Sequence, residues 1–198
     1  MKLSRRLENL GTESAFAVSA AAADWAAKGH KVYPFHLGDI NLPTPVNVVE
    51  AAKKALQDGY TGYCPGPGIP ELRAAVARDI GRKRGVSFDT QNVSIQPGGK
   101  PVIGKFISTV MDRGDEVLYP NPGYPIYESQ IEFQGGVAVP YTFIETGEGF
   151  DLDFDSIERA ISPKTKALIY NNYQNPLSAS SSSGEMEKLA KLTVANDL

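Results

Sequence analysis

The sequence predicts an α/β protein with a mainly parallel or mixed sheet and helices on both faces. Two observations carry this. Short β-rich runs alternate with longer stretches of helical spacing along the 198 residues. Runs such as 117–119 (VLY) and 166–170 (KALIY) are apolar enough for strands buried on both sides.

In order, residues 13–28 read as a helix stopped by Gly29, and 32–37 as a strand. Gly38-Asp39-Ile40-Asn41 is a turn ending at Pro43, and 46–56 is a helix with Val48, Val49, Ala52 and Leu56 on one face. Residues 59–68 (GYTGYCPGPG) form a glycine- and proline-rich loop, a frequent carrier of function. Pro70 opens a helix over 71–84, where a first-turn proline is favoured. Then come a strand at 92–96, a helix at 102–111, a strand at 117–119, a helix at 127–133 and a strand at 137–141. Residues 145–153 read as a polar connection, 154–161 as a helix, 166–170 as a strand and 184–197 as the last helix. The serine patch 178–183 reads as a solvated loop, with Ser183 as a helix N-cap.

Chemistry concentrates in 92–127. Gly98 and Gly99, between a predicted strand and helix, allow close backbone approach and point helix N–H groups at an anion, usually a phosphate. Tyr124 follows the next strand, where its ring can cover a flat group. In open sheets ligands sit beyond the carboxyl ends of strands. Gly98, Tyr124 and Asn175 each follow a predicted strand, so one rim could hold all three. The glycine pair and Tyr124, a phosphate cradle and an aromatic platform, suggest a phosphorylated planar cofactor.

Composition excludes other classes. Hydrophobic residues are 41% and charged residues 22%, with mean hydropathy −0.25, as in ordinary globular proteins. A net charge of −3 gives no bulk attraction to nucleic acid or anionic membrane. The lone Cys64 excludes an internal disulfide, and one cysteine with two histidines argues against zinc. No apolar signal core opens the sequence, and the alanine-rich stretch 15–27 is too short to span a membrane. The expected location is cytoplasmic.

Five segments in order, LGDINLPTP, TGYCPGPGIPELRAAVA, QPGGKPVI, GDEVLYPNPGYPIY and YNNYQNP, resemble the class I/II aminotransferases of fold type I, the aspartate-aminotransferase-like group that uses pyridoxal 5′-phosphate. The resemblance runs from about residue 37 to 198. It implies the aspartate-aminotransferase-like large domain, incomplete at the C-terminus. Residues 1–42 would be an N-terminal segment, and 43–198 the N-terminal part of the cofactor-binding domain. Gly98, Gly99 and Lys100 would bind the cofactor phosphate. Tyr124 would stack on the pyridine ring, and Asn175 would donate to its phenolic oxygen. Gly38 would lie beside the substrate carboxylate. Tyr63 would reach the phosphate of a neighbouring subunit, making the full protein a homodimer. The substrates would be an amino acid and a 2-oxo acid.

Family members are about twice this length. The resemblance places the Schiff-base lysine, the aspartate that pairs with the ring nitrogen, and the phosphate and carboxylate arginines beyond Leu198. No lysine here takes the anchoring role, so no catalytic residue is assigned, and the chain alone is expected not to transaminate. An unpaired strand edge and poor solubility are expected with it. The family often has glycine where Ser178 stands, and serine fits there if its φ stays negative.

Taken singly, each residue has a plainer role. Gly98-Gly99 and Asn175-Pro176 make turns, Lys100 and Tyr63 lie in solvent, and Tyr124 packs at a sheet edge. Cys64 is inert, and His30 and His36 are structural or exposed. Two other functional classes are a non-catalytic module completed by another polypeptide, and an NAD-binding oxidoreductase. The second is disfavoured, since the turn lacks G-x-G-x-x-G.

Overall fold

The computed structural model describes residues 2–198 apart from Thr12, Glu13, His36, Leu37, Asp39 and Asn41. Their contacts form two compact units, 1–36 with 100–198, and 37–99.

The first unit holds α1 (Ser14–Ala27), α4 (Gly99–Val110, from its second residue), α5 (Ile126–Phe133), α6 (Phe154–Ala160) and α7 (Ser183–Ala195). A three-stranded sheet runs β2 (Val137–Tyr141), β1 (Glu116–Pro120), β5 (Thr165–Leu168). Both neighbours are parallel to β1. Successive side chains of β1 point to opposite faces, and both faces are covered. Val117 and Tyr119 join Ile107 and Met111 of the α4 side, with Tyr127 and Ile131 of α5. Leu118 joins Tyr141, Leu152, Phe154, Ile157 of α6 and Leu189 of α7. This is the predicted sheet with helices on both faces.

Residues 145–153 are not an unstructured connection. They belong to an antiparallel hairpin, β3 (Phe143–Thr146) with β4 (Gly149–Leu152), whose Leu152 and Phe143 pack on the second cluster. Acidic residues on the exposed positions hid its alternation. The last helix is capped by Ser182, not Ser183. The Ser182 hydroxyl accepts from Glu185 N–H, while Glu185 accepts from Ser182 N–H, a reciprocal capping box.

The second unit holds α2 (Val46–Gln57) and α3 (Pro70–Arg84). Pro70 opens α3, and Gly85 ends it with φ +66°. The predicted strand at 92–96 is absent. A short 3-10 turn, Thr90–Asn92, is followed by extended chain without a ladder. The Arg73 side chain takes the carbonyl oxygens of Val93, at 2.8 Å, and Thr90. The guanidinium satisfies these two carbonyls, and the Ile95 N–H donates to Pro67 O at 2.9 Å, so the segment is bonded without a ladder. The predicted strand at 32–37 is also absent over its described residues, 32–35; His36 and Leu37 lie outside them.

Two buried phenols give the fold a pH limit. Burial pushes Tyr119 up to about 12, and the Glu128 carboxylate adds to it. Burial also raises Tyr141, chiefly, with help from Tyr170. Unfolded, both phenols ionise near pH 10. Above that pH the unfolded chain holds fewer protons than the folded one, so stability is full below about pH 10 and falls toward about pH 12. Urea midpoints at about pH 9 and about pH 11 should show the drop; equal midpoints would refute it.

Candidate functional site

The site is built at the carboxyl ends of β1 and β5. Chain order reverses beside β1, since β2 lies on one side of it and the later β5 on the other. Such a switch point opens a crevice beyond the strand ends.

The turn after β1, Asn121 to Pro125, is tightly held. An added Cβ on Gly123 would lie 1.9 Å from the Pro120 carbonyl oxygen, so only glycine fits. Asn121 N–H donates to Tyr141 O at 2.8 Å, joining the turn to the end of β2. Tyr124 is half-buried and packs against the Ile107–Ile131 cluster. Its ring meets that of Tyr127 edge-on, with centroids 5.8 Å apart at 90°. Ile103, one turn into α4, packs on the same cluster. Ile103 and Tyr124 therefore lie on the same side of the sheet.

The loop after β5 is held by Gln174, only 2% exposed. Its Nε2 donates to Pro122 O at 2.9 Å and to Asn175 O at 3.1 Å. Its N–H donates to Ala179 O at 2.9 Å, and its carbonyl accepts from Ser178 N–H at 2.6 Å. Asn175 is exposed beside it. Two buried polar atoms, Gln174 Oε1 and Tyr170 Oη, have no partner among the described residues. Tyr141 Oη donates to Ile169 O at 2.9 Å and so pins the end of β5.

Ser178 has φ +57°, against the expected negative value. The Ser178 N–H bond to Gln174 O closes the turn and draws the residue into the left-handed region. Ser178→Gly should therefore stabilise the protein by about 1 kcal/mol after the unfolded-state entropy of glycine is allowed for. A thermal melt should show a rise of about 2–4 °C; an unchanged or lower Tm would contradict the strain.

Of the predicted site residues, Lys100, Tyr124 and Asn175 lie in the sheet-bearing unit. Tyr124 and Asn175 follow adjacent parallel strands. Gly98 follows no strand, which corrects the expected common rim of three strand ends. It stands at φ +99°, with nothing within 4 Å of an added Cβ, and its N–H donates to Gln96 O at 2.9 Å. Gly99 is the first residue of α4. First-turn N–H groups of a helix have no intrahelical acceptor and favour an anion. Tyr63 and Gly38 are exposed in the other unit, and Gly38 lies between Leu37 and Asp39, outside the described residues.

Sequence reasoning missed Gly123, Gln174 and Tyr141. The first two stood inside quoted motifs, as the glycine between prolines in NPGYP and the residue before Asn175. Tyr141 carried no signal beyond its strand. A hollow of about 680 Å³ lies along α4 and α5, lined by Arg6, Lys100, Lys105, Arg113 and Gln134 among others, but not by Tyr124 or Asn175. Among the described residues, no group of His, Cys, Asp and Glu is placed to hold a metal, and no helix is long and apolar enough to cross a membrane.

The parallel sheet carries an aromatic turn and an asparagine loop on adjacent strand ends, and α4 starts at a glycine. The family model for aminotransferase class I and II matches residues 31–198, and the chain belongs to that family. The aspartate/prephenate aminotransferase of Thermus thermophilus is 36% identical over 98% of this chain and 50% of its own length. The aspartate aminotransferase of Geobacillus stearothermophilus is 30% identical over 99% and 50%. Among solved structures, the Thermus thermophilus aspartate aminotransferase with maleate superposes at TM-score 0.93, with 35% identity, over all of this chain and 52% of that one. Alanine aminotransferase from Pyrococcus furiosus also gives 0.93, with 29% identity, over 100% and 50%. The fold is that of the aspartate aminotransferases. The chain spans about half the length of the curated relatives it matches.

Proposed function

We propose that this chain supplies the cofactor-holding half of an aminotransferase dependent on pyridoxal 5′-phosphate, moving an amino group from an amino acid to a 2-oxo acid. One observation carries the reading: the Tyr124 turn and the Asn175 loop are tied together across adjacent strand ends through Gln174. The relatives' names span aspartate, prephenate and alanine, so the substrates stay at class level.

The residues fit the cofactor. The first turn of α4, led by Gly98 and Gly99, suits a phosphate, with Lys100 beside it. The open space around both glycines leaves the backbone approachable. Tyr124 offers an aromatic ring, held perpendicular to that of Tyr127. Asn175 is exposed, so its amide is accessible to a ring oxygen. When bound, the cofactor supplies the electron sink, and the protein supplies orientation and electrostatics. The phosphate anchor sits away from the reacting centre and holds the ring in register. Tyr124 would fix the ring plane, and Asn175 would hold negative charge on the ring oxygen. Gly38 would border the substrate carboxylate. Tyr63, fully exposed, would reach the phosphate of a second copy. Residues 1–42 would be an N-terminal segment ahead of the cofactor domain. A homodimer in the cytoplasm belongs to the same reading.

The test is a titration of the protein with pyridoxamine 5′-phosphate and with pyridoxamine. Neither carries the aldehyde that reacts with surface lysines. The phosphate form should bind about tenfold tighter or more, the share carried by charge-assisted bonds to the helix start. Equal affinities would sink the phosphate assignment. No amino transfer is expected from the 198 residues by themselves; measured turnover would contradict that. Binding without turnover is also what a non-catalytic module would show, and restored transfer on adding the family's remaining half would decide for the enzyme.

A further inference from the structure

Gln174 ties together the two loops that carry the groups assigned to the cofactor ring. It is 2% exposed, and its side-chain amide spends both donors on backbone carbonyls. One belongs to Pro122, two residues before Tyr124, and the other to Asn175 itself. Its main chain closes the loop through Ser178 N–H and Ala179 O. The remaining side-chain atom, Oε1, is buried without a partner. Leaving a buried acceptor unpaired costs free energy. An apolar side chain of similar length would fill the space without that cost but would leave the two loops untied.

We propose that Gln174 is a positioning residue that sets the placement of the Asn175 amide relative to the Tyr124 ring. This rests on the cofactor reading above. The amide is planar, and its two donors reach the two loops from one rigid group. Without it each loop keeps its own backbone bonds: Asn121 N–H to Tyr141 O on one side, and the Ser178 and Ala179 bonds on the other. Both loops then remain folded but lose their common reference. Gln174 thus acts through Asn175 and touches no cofactor itself.

A double-mutant cycle with pyridoxamine 5′-phosphate separates this from a packing role. Gln174→Met keeps length and burial and removes both donors. In the wild-type background it should weaken binding about tenfold, the scale of one lost hydrogen bond to the ring oxygen. It should also alter the circular dichroism of the bound ring, which reports ring orientation. In the Asn175→Ala background the same change should weaken binding less than about twofold, because the group it positions is gone. An equal loss in both backgrounds, with the ring dichroism unchanged, would overturn the proposal. If Gln174→Met melts below the assay temperature, Gln174→Leu replaces it in the cycle, again an apolar side chain without donors. If the wild type binds no pyridoxamine 5′-phosphate, the cofactor reading and this inference fail together. If it binds and Asn175→Ala has no effect, this inference fails with the Asn175 assignment, and the phosphate assignment at the α4 start stands.

Discussion

Gly123→Ala should cost about 3 kcal/mol or more of folding stability, the range of severe overpacking against an unyielding neighbour. The new methyl would stand 1.9 Å from the Pro120 carbonyl oxygen, and 3.2 Å from the Pro120 ring. The obstacle is main chain, at the end of a strand paired on both sides, so no side chain can swing away. Relief requires the turn to move, and the turn carries Tyr124. The same substitution should therefore reduce cofactor affinity in whatever protein still folds. Gly147→Ala is the control: nothing lies within 4 Å of its added Cβ, and its φ is not in the left-handed region. Urea unfolding of the two variants measures the difference. A Gly123→Ala protein as stable as the Gly147→Ala one would mean the turn is not the close-packed element described.

Ile131→Ala should cost about 2–5 kcal/mol, the range for emptying a fully buried aliphatic site. Ile131 is 0% exposed and belongs to the cluster on which Tyr124 and Ile103 pack. Ile157, also 0% exposed, belongs to the cluster on the opposite face of the sheet. Both alanine variants should lose similar stability. Only Ile131→Ala should also weaken pyridoxamine 5′-phosphate binding, because the cavity opens beneath Tyr124 and the start of α4. Denaturant curves and ligand titrations on the two proteins, at a temperature where both remain folded, would show it. Equal ligand affinities would place the binding surface elsewhere.

Much of this architecture was legible because local and tertiary signals agree. The apolar run of β1 sits between two neighbours and two helical layers, so its composition and its place coincide. Helices with clear breakers, such as α3 between Pro70 and Gly85, were legible to within a residue or two. The failures share a cause. Residues 93–96 are β-rich, but their main chain bonds the Arg73 side chain at Val93 and the Pro67 carbonyl at Ile95 instead of a neighbouring strand, and no propensity reveals that. The β3–β4 hairpin is read as polar because only Phe143, Phe150 and Leu152 of its side chains turn inward. Ser182 and Ser183 are the same residue type one step apart, and the capping box with Glu185 decides between them.

For the site, the residues themselves pointed to Gly98, Gly99 and Tyr124 as small residues and an aromatic ring after predicted strands, and the family resemblance added Lys100 and Asn175. They were silent on Gln174 and Gly123. Those two matter through a hydrogen bond 52 residues apart in sequence and through one close approach to backbone. Such roles exist only once the strands are placed side by side.

The most direct test of the central claim is a structure of the protein with pyridoxamine 5′-phosphate bound. The account predicts the phosphate at the first turn of α4, the ring on the face of Tyr124, and the Asn175 amide at the ring oxygen. A ligand seated away from Tyr124, or a phosphate bound by other groups with the α4 start empty, would contradict it.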